Sequence, residues 1–399
     1  MSSILDRVLQ AARQLGASDV HLKVGLPPIF RIKGDLRTVR DVPPLSRDVV
    51  QTFALDMMNE RQREIFETAW DVDLAYATTD GVRYRVNVFQ QRGNVGMVMR
   101  LIPPEVPPFE KLNLPKAVLD LADNERGLVL VTGITGSGKS TTLAAMVDSI
   151  NARRACHIVT VEDPIEYAFK DKRSVINQRE IGFDTLSFGK ALRAALRQDP
   201  DVILVGEMRD LETIEIAITA AETGHLVLST LHTLDAVETV NRVVSVYPPH
   251  QQHQARLQLA GVLKGVMSQR LVPRADGKGM IPAVEVLINT ARVRELISDP
   301  KRTREIHDAI TTGRDPYGMI SFDQSLMDLV RRKLVTYEEA LSQATNADDF
   351  ALRYRGIGRG DESVIPTSDA PPEADLEMDL QGDDEQDAEP SFTIDRFKR

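Results

Sequence analysis

Eight consecutive residues constrain this chain more than any others: Gly133-Ile134-Thr135-Gly136-Ser137-Gly138-Lys139-Ser140 match G-x-x-x-x-G-K-[ST] in full. The flanks suit the motif, since GLVLVT before it reads as a strand and TTLAAMVDSI after it as a helix. Glycines let a backbone wrap phosphates with its N–H groups turned inward, and a helix N-terminus adds positive potential. Thr135, Gly136, Ser137 and Thr141 are further candidates for the phosphate cradle. In such a loop Lys139 contacts the β- and γ-phosphates of ATP and Ser140 holds Mg²⁺. A chance match is the alternative, and the register of strand, loop and helix weighs against it.

A phosphate loop supplies neither a base nor a second magnesium ligand. In a parallel sheet those groups must sit at the carboxyl ends of strands, beside the loop. Short apolar runs at Gly127 to Thr132, His157 to Val161, Val202 to Val205 and Leu226 to Thr230 alternate with helical patterns. That alternation indicates a mostly parallel sheet covered on both faces. HIVTV ends in Glu162-Asp163-Pro164-Ile165-Glu166 and VILV in Gly206-Glu207-Met208-Arg209-Asp210, so both acidic groups belong near the γ-phosphate. Asp201 precedes its strand and is excluded. Gly206 holds the place where an aspartate is usual, leaving Glu207 to bind Mg²⁺, partly through water. His232 follows the third run, and spacing alone leaves it either a γ-phosphate sensor or a packed, capping histidine. His225 begins the same run and is the weaker candidate.

The 399 residues suit two or three domains, and 42% hydrophobic with 27% charged residues is ordinary globular composition. In the first hundred residues a helix is expected from Ile4 to Leu15, ending at Gly16, then strands at Val20 to Val24 and Ile29 to Ile32. One helix is expected from Leu45 to Glu67, then strands at Val82 to Phe89 and Val95 to Leu101. The organisation read from this is a small α+β domain over 1–102, a proline-rich linker over 103–115, an α/β core over 116–290, a helical region over 291–355 and an acidic, disordered tail over 356–399. Between Asp361 and Pro390 lie twelve acidic residues and no basic one, so the net charge of −10 resides in the tail and the rest carries +2. No broad basic surface is indicated, and direct nucleic-acid binding is not expected. A single cysteine, Cys156, excludes a disulfide framework and a four-cysteine zinc site. No apolar run approaches a membrane span and the N-terminus lacks the order of a secretory signal, so a soluble, cytoplasmic protein is expected.

Taken together, GITGSGKST, VEDPIEY, DPDVILVGEMRD and TAAETGHLVLSTLHT resemble the secretion ATPases of type II and type IV pilus systems. Within that family the chain is similar to the retraction ATPases of twitching motility. GASDVHL and PPIFRIKG near the N-terminus, and SFDQSLMDLV with LVTYEEALSQATN near the C-terminus, extend the resemblance from Ile4 to Tyr354. It implies an α/β protein with a PAS-like N-terminal domain and a RecA-like ATPase domain, nucleotide between them, assembled as a homohexamer. It implies that Glu162 activates the attacking water, that Glu207 supports magnesium, and that His232 and His225 form a histidine box. Arg85 in RYRVNVFQ and Arg100 in GMVMRLIP are the arginines implied to reach the phosphates; as residues alone they read rather as a solvated strand face, since exposed arginine is common. The implied partners are a pilus platform protein of the inner membrane and a paralogous ATPase, with the motor peripheral to the cytoplasmic face of that membrane.

Assembly ATPases of this family carry a four-cysteine zinc element and a long extra N-terminal domain. The lone Cys156 and a phosphate loop beginning at residue 133 argue for retraction. Retraction ATPases resemble one another in a helix motif, AIRNLIRE. Here Arg294, Leu296 and Ile297 match it, Val293 and Asp299 are conservative, and Arg292, Glu295 and Ser298 depart. The alternatives left open are an accessory retraction ATPase, an assembly or type II secretion ATPase, a DNA translocase and an idle ring subunit. The last would have lost Lys139, Ser140, Glu162 or Glu207, all of which are present. For the tail, a docking segment with TIDRFKR as a terminal anchor competes with a plain solvated extension.

Overall fold

Alternation and capping build the N-terminal unit. The computed structural model describes residues 4–32, 34–39, 42–103, 105–356 and 394–396. They fall into two compact units that divide between Pro104 and Glu105.

In the first unit α1 (Ile4–Gln14) buries Leu5, Leu9 and Ala12, and Gly16 behind it takes φ +66°. Then come β1 (Ala17–Lys23), β2 (Ile29–Ile32) and β3 (Asp35–Val39). The single helix expected over 45–67 is two, α2 (Arg47–Met57) and α3 (Glu60–Ala69). The break is chemical: Asn59 caps α3, accepting from the Gln62 N–H while the Gln62 side chain accepts from the Asn59 N–H. After β4 (Asp71–Ala77), β5 (Arg83–Gln91) and β6 (Asn94–Leu101), the antiparallel sheet reads β3-β2-β1-β6-β5-β4. Sequence reading missed β3, which is short and polar, and β4. Val20, Leu22, Phe30, Val86, Val88, Met97 and Met99 form the buried face. The opposite face carries Asp19, His21, Arg31, Arg85 and Arg100 by alternation along the strands.

The second unit opens with α4 (Lys116–Ala122) and β7 (Gly127–Thr132), then α5 (Lys139–Arg153), β8 (His157–Glu162), β9 (Val175–Glu180) and α6 (Phe188–Ala195). It continues through β10 (Val202–Val205), α7 (Leu211–Glu222), β11 (Leu226–Leu231), α8 (Ala236–Ser245) and α9 (Gln252–Val262). A hairpin of β12 (Leu263–Pro273) and β13 (Met280–Ile288) closes the sheet, whose order is β13-β12-β7-β11-β10-β8-β9. All neighbours are parallel except β12 and β13. β7, β10 and β11 are buried along their whole length, as strands covered on both faces must be. One cover includes α7, α8 and α9, the other α4 and α5. Phe109 and Leu114, from the proline-rich stretch, pack against the second cover.

The helical region comprises α10 (Ala291–Ser298), α11 (Ile306–Thr312), α12 (Arg314–Tyr317), α13 (Phe322–Arg331), α14 (Tyr337–Gln343) and α15 (Ala347–Tyr354). The expected break at Tyr317 and Gly318 is the C-cap of α12, with Gly318 at φ +72°. Disorder expected for the tail falls largely on residues 357–393, outside the described residues. Beyond them Ile394–Arg396 is a strand, β14, paired antiparallel with β3 in the N-terminal unit.

Candidate functional site: a phosphate loop at the carboxyl edge of the sheet

Strand register decides which side chains meet. Thr132 pairs with Leu231, and Val205 with both Ser229 and Val161, so β7, β8, β10 and β11 end together. The segments following those ends hold the loop, Glu162, Glu207 and His232. Asp201 lies at the other edge, where the His157 N–H donates to its carboxylate (2.8 Å).

The loop wraps from β7 into α5 with Gly133, Gly136 and Gly138 at φ +142°, +80° and +90°. At two of them space also demands glycine. A Cβ on Gly133 would run into the Gln269 carbonyl and the Ser137 hydroxyl, and one on Gly138 would lie 2.7 Å from the Gln269 side-chain nitrogen. Gln269, on β12, therefore backs the loop, and the Thr142 hydroxyl fixes it by donating to Oε1 (2.7 Å). Lys139 Nζ donates to the loop carbonyls of Gly133 (2.8 Å) and Ile134 (2.9 Å). Burial holds its pKa below the usual lysine value, against the charges of Glu207 and Glu166. Ser137 Oγ is buried without a hydrogen-bond partner. A buried ammonium folded onto its own loop, an unpartnered hydroxyl and a 15-residue helix starting at Lys139 fit an oxygen-rich anion. The Thr141 hydroxyl meets Tyr167 Oη (2.9 Å), tying VEDPIEY to α5.

Glu162, the last residue of β8, is buried, and its Oε1 accepts from Thr160 Oγ1 (2.6 Å) and Gln178 Nε2 (3.1 Å). Burial pushes its pKa up to about 7 against those two hydrogen bonds. A carboxyl near that value exchanges a proton easily at neutral pH. Glu207 pairs with Arg209 (2.7 Å) and His232 Nε2 (3.3 Å). Burial raises its pKa, but the Arg209 hydrogen bond and the charges of His232 and Arg209 outweigh it, so the carboxylate titrates below its usual range. Gly206 lets β8 and β10 close up: its N–H donates to the Val161 carbonyl (2.8 Å), and a Cβ there would lie 3.2 Å from the Glu162 Cα. Any side chain there crowds backbone that would have to give by a few tenths of an ångström. The Ser140 hydroxyl and the Glu207 carboxylate are hard oxygen donors of the kind Mg²⁺ takes. Among the described residues there is no cluster of three or more metal-binding side chains.

Not all expected residues gather here. His225 sits at the amino end of β11, where its carbonyl accepts from the Gly127 N–H and its ring meets the Ala220 carbonyl (2.9 Å). A six-residue strand spans roughly 20 Å, so His225 stands at the edge of the sheet opposite the loop of its own subunit. Arg85 and Arg100 belong to the N-terminal unit, directly opposite each other on β5 and β6. Arg100 Nε donates to Asp19 (2.8 Å), which Arg31 also approaches (3.7 Å). Burial raises the pKa of Asp19, but hydrogen bonds from Arg100 and Ser18 win and keep it low. Sequence reading missed Arg209, Thr160, Gln178, Gln269 and Asp19 in these roles. Arg209 lies inside GEMRD and was open to suspicion, and Thr160 stands two residues before Glu162 on the same strand; Gln178, Gln269 and Asp19 meet their partners only through sheet register.

The Type II/IV secretion system protein family matches residues 1–357. The chain is similar to the type IV pilus retraction ATPase PilT of Pseudomonas aeruginosa, at 45% identity over 87% of this chain and 99% of that protein. It is 39% identical to the type IV pilus ATPase PilU of the same organism, over 88% of this chain and 91% of that one. A crystal structure of the pilus retraction motor PilT with bound ADP superposes with a TM-score of 0.80 at 45% identity, covering 86% of this chain and 98% of that chain. With the phosphate loop and its acidic companions in place, the chain belongs to the Type II/IV secretion system protein family and is an ATPase of it.

Proposed function

We propose that the protein is the retraction motor of a type IV pilus, working as a homohexamer at the cytoplasmic face of the inner membrane. The carrying observation is the 45% identity to a retraction ATPase along nearly its whole length. The single cysteine supports retraction over assembly, since it leaves no zinc element. No described helix is long and apolar enough to cross a membrane, which suits a peripheral motor on a platform protein.

The residues divide the work as follows. Loop amides and the helix N-terminus bind the triphosphate, and Lys139 leaves the Gly133 and Ile134 carbonyls for it. Ser140 and, partly through water, Glu207 would hold Mg²⁺, which would supply neutralisation of phosphate charge. Glu162, poised near neutrality, orients the attacking water and takes its proton. His232, 3.3 Å from Glu207, responds to charge at the γ-phosphate position. Arg85 and Arg100 supply guanidinium charge for the transferring phosphoryl group, and His225 acts outside its own subunit's loop. Hydrolysis then drives motion of the N-terminal unit against the ATPase unit.

The test is surface pili counted by electron microscopy in cells lacking the protein, beside cells expressing it intact or as Lys139→Ala. Excess pili with lost twitching in the first and third establish retraction; bald cells overturn it in favour of assembly. A second reading, an accessory retraction ATPase, draws on the 39% identity to PilU. It predicts normal pilus numbers in the deletion.

A further inference from the structure

The tail lies beyond the family match, which ends at residue 357, yet three of its residues form an ordered element. β14 pairs antiparallel with β3, placing Ile394 opposite Val39, Asp395 opposite Thr38 and Arg396 opposite Arg37.

The receiving edge suits a strand. The Val39 N–H donates to the Pro28 carbonyl on the β2 side. Backbone groups alternate along a strand, so Thr38 turns its N–H and C=O to the other side, which would be an open edge without β14. Val39, the residue opposite Ile394 in the backbone register, is buried in the N-terminal core.

We propose that the C-terminal strand of this chain is a tethered, reversible ligand of the β3 edge. The edge is thus a built-in β-augmentation site whose resident occupant is Ile394–Arg396 of the same chain. The pairing spans three residues, short for a strand, which makes the occupancy reversible. Covalent attachment offsets this, because it holds the segment near the edge at an effective concentration of about mM. The 37 residues between Gly356 and Ile394 reach up to roughly 120 Å when extended, so tether length does not forbid docking. The docked strand is a contact that a competing extended segment can displace. The twelve acidic residues on the tether travel with it.

The test is a disulfide trap in the full chain. Arg37→Cys with Arg396→Cys, on a Cys156→Ser background, places two cysteines at a directly opposite, non-hydrogen-bonded pair, where antiparallel strands approach closely enough for a disulfide. Mild oxidation is expected to give an intramolecular disulfide, read as a faster monomer band on a non-reducing gel. Thr38→Cys with Ile394→Cys puts the sulfurs on opposite faces and stays reduced. Cross-linked multimers would overturn the proposal in favour of a neighbouring copy's strand, and absence of any cross-link would overturn it outright. Independently, Asp395→Pro removes the amide that pairs with Thr38, and exchange of the Thr38 amide hydrogen is expected to quicken at least about tenfold. Unchanged exchange says that no strand protects the edge.

Discussion

In the proposed mechanism Glu162 is the side chain on which the chemistry turns. Glu162→Gln keeps the shape and both donors but cannot take a proton, so ATP turnover is expected to fall by about 10²- to 10⁴-fold. Turnover of the intact protein is expected to rise through about pH 7 as Glu162 ionises. Stability runs the other way. The folded pKa lies above the unfolded one, so the contribution of Glu162 is full below the ordinary carboxyl value and is lost as pH rises through about 7. The Gln variant should therefore gain Tm relative to its parent at pH 8 but not at pH 4; an equal difference at both would deny the burial penalty. The two histidines of the box separate by place. His232→Ala removes a partner of Glu207 and should slow hydrolysis at saturating ATP. His225→Ala, at the far edge, should leave the affinity of isolated subunits for a fluorescent ATP analogue unchanged.

At the scale of elements, the junction of β8 and β10 is a close backbone approach. Gly206→Ala pushes a methyl to 3.2 Å from the Glu162 Cα and the Val161 carbonyl, with backbone on both sides. Crowding of that kind costs about 1–3 kcal/mol. A lower midpoint in urea, with turnover reduced more than nucleotide binding, is the expected result. In the N-terminal unit Asn59 both ends one helix and begins the next. Asn59→Ala should cost about 1 kcal/mol, read by thermal melting, without changing ATP turnover measured well below the transition. On α10 the residues shared with the retraction motif divide by face: Leu296 and Ile297 are buried, whereas the departing Arg292 and Glu295 are exposed.

For the whole molecule, the exposed face of α10 is where a retraction partner would be read. Restoring the departing positions by Arg292→Ala, Glu295→Asn and Ser298→Arg leaves the buried Val293, Leu296 and Ile297 untouched. ATP hydrolysis in solution should stay within about twofold of the parent while twitching on a surface changes. Altered hydrolysis with unchanged twitching would move the motif from partner contact to catalysis. The charge of the molecule is also divided, with the acidity confined to the tether between Gly356 and β14. Salt dependence traced to the tail should therefore vanish when those acidic residues are neutralised together.

The sequence alone determined what depends on local order: the phosphate loop, the apolar runs of the parallel sheet, and the rule that carried Glu162, Glu207 and His232 to its carboxyl edge and Asp201 away from it. The same rule applied to His225, which begins its strand, and there the resemblance to a histidine box pointed elsewhere. Only the tertiary structure decided which distant residues touch. Gln178 reaches Glu162 because β9 lies parallel beside β8, and Gln269 braces the loop because β12 returns beside β7. Asp19 holds Arg100 because β1 and β6, some eighty residues apart, are neighbours. Helix breaks set by capping, such as Asn59, and the pairing of β14 with β3 were equally hidden. Periodicity reports which face of an element is buried; the partner across the interface is set by sheet order and register, which no single stretch of sequence carries.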